Sequence, residues 1–137
     1  MTAPFTTRVP KIFRKTITFD GGAGSGAVGR VLVGTITGAV LITHLAARVT
    51  TDLAGATATV ELGDATNTAA LIAQATATNL DAGEFWQSAA PATIADAVIN
   101  KLVDANIIVT VATAAVSAGV VEFTAFWLPV SSDGLIA

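Results

Sequence analysis

Hydrophobic and polar residues alternate along much of this chain. Between residues 31 and 37, Val31, Val33, Thr35 and Thr37 alternate with Leu32, Gly34 and Ile36. Past Gly38-Ala39, Leu41, Thr43, Leu45, Ala47 and Val49 alternate with Val40, Ile42, His44, Ala46 and Arg48. A period of two sends successive side chains to opposite faces of a strand. Residues 29–50 therefore read as two β-strands joined at Gly38-Ala39. Leu41, Leu45 and Val49 are expected to face a core, and Ile42, His44 and Arg48 to face water or a neighbouring chain.

Further strands follow from the same pattern and from β-branched and aromatic content. They are expected at 15–20, 56–62, 107–113 and 120–128, with shorter ones near 75–80 and 84–87. In the last long strand Val121, Phe123, Ala125 and Trp127 oppose Val120, Glu122, Thr124 and Phe126. Residues 67–74 fit a helical turn or a short strand. Residues 91–103 form the one helix candidate: Ile94, Val98 and Leu102 recur by fours, Thr93 is placed to cap, and Asp96 holds the capping-box position. About eight short strands separated by Gly, Asp and Asn turns indicate an all-β, antiparallel sandwich or barrel, with one short helix near 93–103.

Length and composition sharpen this picture. A chain of 137 residues is the size of one domain. It contains no cysteine and one histidine, which excludes disulfides, thiolate metal sites and multi-histidine metal sites. Charged residues make up 12%, against roughly 25% in an average soluble domain. So few charges imply a surface of Thr, Ser, Asn and Ala, or one partly covered by other subunits. The most apolar window, 27–49, is interrupted by Arg30, His44 and glycines and has the period of a strand, so no membrane-spanning helix is expected. The first residues lack the apolar run of a signal peptide.

Charge is unevenly distributed. Arg8, Lys11, Arg14 and Lys15 lie in the first fifteen residues, which hold no acid; three bases and ten acids fill the remainder. The arm thus carries +4 and the body −7, which sum to the net −3. With Pro4 and Pro10, residues 1–15 read as a basic arm and 16–137 as a single β-sandwich domain. Such an arm fits a solubilising tail or an extension onto an acidic surface of a partner or sister subunit. Nucleic acid is not an expected partner, because the body is acidic and only Phe5 and Phe13 are available for stacking.

No set of residues carries a catalytic signature. Gly24, Gly26 and Gly29 match G-x-G-x-x-G after a strand, but the following residues alternate and do not open the helix that a dinucleotide site requires. The expected structure is a flexible hairpin loop. His44 has no elbow-borne serine to serve. Asp81 with Glu84, and Glu61 with Asp64, are explained by turn hydrogen bonding. The loop aspartates at 52, 64, 81 and 133 lack calcium-loop spacing. Trp86 and Trp127 suggest stacking on a sugar, or packing. No enzyme activity, cofactor or metal is expected.

Two segments, GDATNTAALIAQATATNLDAGEFW (63–86) and INKLVDANIIVTVATAAVSAGVVEF (99–123), together with the aromatic final strand, resemble small virion structural proteins of tailed bacteriophages. The shared pattern is a strand ending in Gly, an N-T-x-x-L-I segment, an acidic turn before Trp, and an N-I-I strand followed by a turn and an aromatic strand. It covers about residues 30–130. The resemblance implies a jelly-roll-like sandwich acting in the virion as a capsid decoration (cement) protein or another head or tail component. The implied partners are further copies, as a homotrimer, and the major capsid protein or another virion protein. The expected contacts are the basic residues Arg8, Lys11, Arg14 and Lys15, with Ile42, His44 and Arg48 on the outer strand face. The alternative is a head or tail fibre or spike module that binds a host glycan through Trp86, Asp81 and Glu84.

Overall fold

Among the described residues, ten strands in antiparallel pairs build the fold. The computed structural model describes residues 9–94 and 100–137. The strands are β1 (Lys11–Thr18), β2 (Gly29–Gly34), β3 (Ile36–Thr37), β4 (Val40–Ala54), β5 (Thr59–Gly63), β6 (Ile72–Thr76), β7 (Lys101–Val103), β8 (Ile107–Ala112), β9 (Ala118–Pro129) and β10 (Leu135–Ile136). A 3-10 turn, Ala77–Asn79, follows β6.

The topology is that of one antiparallel ribbon wrapped on itself. β1 pairs with β9, β2 with β8, β4 with β7 and β5 with β6. Wrapping brings β9 against β4 and β8 against β5. Two four-stranded sheets result, ordered β1-β9-β4-β7 and β2-β8-β5-β6. This is the jelly-roll order, in which neighbouring strands come from distant parts of the chain. β10 pairs with β3 and ties the C-terminal residues to the β3–β4 connection.

Both inner faces feed one core. β4 contributes Val40, Ile42, Leu45, Ala47 and Val49, and β9 contributes Val121, Phe123, Ala125 and Trp127. Across from them lie Val31 and Val33, Val60 and Leu62, and Val109 and Val111. Among the described residues no polar or charged one is buried. This apolar core needs no disulfide or metal staple at this chain length.

Several expectations are corrected. β2 and β4 do not pair with each other; they lie in different sheets, and Gly38-Ala39 is held by Ser131, whose hydroxyl accepts from the Ala39 N–H at 2.8 Å. Residues 11–15 belong to edge strand β1, so the basic stretch is not an arm up to residue 15. The glycine-rich segment links strands of two sheets and is not a hairpin loop. The helix expected at 93–103 meets β7 at its end, where Leu102 pairs with Leu41; residues 95–99 lie outside the described residues. Residues 67–74 are mostly loop, with β6 beginning at Ile72.

Candidate interaction surface

One irregularity in β4 determines what the first sheet presents to the outside. Ile42 pairs with Trp127 and His44 pairs with Phe126, so Thr43 is an extra residue in β4. A β-bulge of this kind shifts the in–out parity by one. Val40 and Ile42 point inward before it, and Leu45, Ala47 and Val49 point inward after it. Ile42 is thus fully buried, at 0% exposure, and is not an outer-face contact. Leu41, expected in the core, lies on the outer side. The Thr43 hydroxyl donates to the Phe126 carbonyl at 3.1 Å and fixes the bulge.

Two apolar rows therefore cross the outside of this sheet at one end. Ile12, Phe126 and His44 form the first, matched strand to strand. Leu128, Leu41 and Leu102 form the second. Ile12 is 55% exposed, Phe126 40% and Leu102 66%. The His44 ring meets Phe126 edge-on, with centroids 6.4 Å apart and planes at 86°. Toward the other end the face becomes charged, with Arg48 opposite Glu122.

Three further basic residues lie on one edge of the sheet, while Lys101 is exposed on β7 at the other. Lys11, Arg14 and Lys15 are exposed on β1, and the Lys11 ammonium lies 5.3 Å from the Trp127 ring centroid. Cation–π attraction at that range is favourable. Arg8 lies outside the described residues. Beside β1 runs the edge strand of the second sheet, β2, with exposed Arg30. An open groove of about 230 Å³ separates the two edges, lined by Lys15, Thr16, Thr18, Val31 and Leu32 among others.

Toward the opposite edge lies an acidic turn. Here residues 83–86 run alongside β4: Gly83 donates to Val49, Val49 to Glu84 and Trp86 to Ala47, all at 2.8 Å. The preceding turn is braced from two sides. The Ala82 N–H donates to Asp52 Oδ1 at 2.7 Å, and the Asp81 N–H to Glu84 Oε2 at 3.2 Å. This pairing turns Trp86 into the core, where it is 1% exposed. Trp86 therefore has no free face for a sugar ring.

The glycine-rich loop is ordered around Asp20. Its carboxylate accepts from the Gly22 N–H at 2.8 Å and from the Ser25 hydroxyl at 2.5 Å. The Ser25 hydrogen bond, with that from Gly22, holds the Asp20 carboxyl below its ordinary value of 3.8. Among the described residues no three His, Cys, Asp or Glu side chains are grouped to hold a metal ion.

Of the residues singled out from the sequence, His44 and Arg48 share the outer face, and Lys11, Arg14 and Lys15 share β1. The apolar partners Ile12, Phe126, Leu128, Leu41 and Leu102 were not anticipated as a surface. The signal available was Phe126 itself, a large aromatic at an outward position of an otherwise regular strand. No protein-family model matches the chain, nor does any curated protein or any solved structure.

Proposed function

We propose that this protein is a structural component of a bacteriophage virion, a capsid decoration (cement) protein that works by covering shell surface and catalyses nothing. The observation that carries this reading is the pair of apolar rows across the outside of the β1-β9-β4-β7 sheet. Three large apolar side chains in them are each at least 40% exposed. A contiguous apolar face on a small domain marks an interaction site. The jelly roll is a fold shared by viral capsid and lectin domains, an analogy of fold alone. The resemblance of residues 30–130 to phage virion proteins points the same way.

The mechanism is burial. Copies associate around a rotational axis, in this reading a threefold one, and lay the apolar end of the sheet on the major capsid protein. Apolar area removed from water contributes about 25 cal/mol per Å². A standard interface of about 1,600 Å², repeated over a shell, resists internal pressure without chemistry.

The test is mass spectrometry of purified virions, followed by sedimentation of the recombinant protein with heads lacking it. The chain is expected in the particle, and it should bind stripped heads. Phe126→Asp with Leu102→Asp should abolish binding while leaving the fold intact. Absence from the particle, or undiminished binding by the double variant, overturns the reading. The glycan-binding alternative is not retained, since its stacking residue, Trp86, is buried.

A further inference from the structure

The two edges of the first sheet differ in charge: β1 carries Lys11, Arg14 and Lys15, whereas the far side carries Asp52, Asp81 and Glu84 beside one base on its edge strand, Lys101. Of the β1 bases, Lys15 lines the groove between β1 and β2, and Arg30 is exposed on β2. At the other edge, beyond β9 and β4, project Asp81, Ala82 and Gly83, all exposed, with Glu84 partly exposed and Asp52 exposed behind them. The turn is held rigid by bonds from Ala82 to Asp52, from Gly83 to Val49 and from Asp81 to Glu84, so docking it carries little ordering cost. The groove is lined by Lys15, Thr16, Ile17 and Thr18 on its β1 wall and by Val31 and Leu32 on its β2 wall, with Gly24 and Ser25 of the glycine-rich loop beside them.

We propose that the occupant of the β1–β2 groove is the acidic turn 81–84 of a second copy of this chain. Asp81 of one copy meets Lys15 and Lys11 of the next, and Ala82 rests against Leu32. The contact uses different surfaces on the two partners, so it is heterologous, and repeating it generates a closed ring or an open chain. This inference rests on the reading above for its biological setting, and it supplies the contact between copies. The apolar rows on the outer face remain free for a shell. Opposite charges at the two ends of one repeat steer like copies together in one orientation.

The experiment is sedimentation velocity of the full chain, without any particle, at low and high salt. The wild type should associate at low salt and weaken as salt rises. Asp81→Lys alone, and Lys11→Glu with Lys15→Glu alone, should each weaken association by at least about tenfold. A chain carrying all three changes should recover association to within a few-fold of wild type. Thermal unfolding of each variant confirms that it is folded, and the triple variant distinguishes lost charge pairing from lost structure. A monomeric wild type, salt-independent association, or a folded triple variant that stays dissociated overturns the proposal. Head binding is read separately, so loss of one result leaves the other standing.

Discussion

Trp86 and Phe123 meet edge to face in the core, with ring centroids 6.3 Å apart and planes at 66°. They come from the two flanks of β4: Trp86 from the strap bonded to one side, Phe123 from β9 on the other. The pair therefore locks the strap to the sheet. Trp86→Ala should lower stability by about 3–5 kcal/mol, read as a reduced denaturant midpoint at unchanged slope. Emission of the wild type should be blue-shifted, because both tryptophans are buried.

The bulge at Thr43 gives a parity test. Ile42→Ala should cost about 2–5 kcal/mol, as for a fully buried aliphatic. Leu41→Ala, one residue away on the outer side, should cost about 1 kcal/mol or less. Chemical denaturation of the two variants decides it; the reverse order would contradict the bulge.

Asp20 predicts a pH effect with a definite sign. Its folded value lies below 3.8, chiefly through the Ser25 hydroxyl. A depressed carboxyl contributes stability above its unfolded value, and that contribution is lost as pH falls through the lower folded value. NMR titration should place Asp20 below 3.8, and Ser25→Ala should move it upward. The acid limb of the stability curve should flatten in Asp20→Asn.

Gly119 is the position where a side chain is least tolerated in β9. Its φ is +121°, and an added Cβ would come within 2.7 Å of the Leu53 Cα. Gly119→Ala combines backbone strain with a clash against β4, so a loss of about 2–4 kcal/mol is expected. Gly83→Ala also has a positive φ but open space around it, and should cost only about 1 kcal/mol. Paired thermal melts test the difference.

Alternation sufficed where a strand is regular. β9 shows this best, with Val121, Phe123, Ala125 and Trp127 all inward as their spacing requires. It failed at Leu41 and Ile42 because a bulge is a tertiary feature, fixed here by a bond between Thr43 and a strand far away in the chain. The inward position of Ile17 was legible from its spacing to Phe19, whereas the start of β1 around Phe13 was masked by its basic neighbours. Strand partners were not legible, since β2 and β4 are neighbours in sequence yet belong to different sheets. Lys101–Val103 reads as the end of a helix by its spacing from Ile94 and Val98, but pairing with Val40–Ile42 draws it into the sheet.

The outer surface was legible only in part. His44 and Arg48 were placed correctly because they follow the bulge. The row beside them needed cross-strand register, Ile12 to Phe126 to His44 and Leu128 to Leu41 to Leu102, which no single stretch of chain contains.

Hydroxyl-radical footprinting, on the free protein and on intact virions carrying it, measures directly whether this outer face is covered at work. Ile12, Phe126 and Leu102 should be oxidised in the free protein and protected in the particle, while exposed Val28, away from that sheet, stays reactive in both. Equal oxidation of Phe126 in the two states would show that the apolar rows meet nothing, and the proposed mode of action would fall.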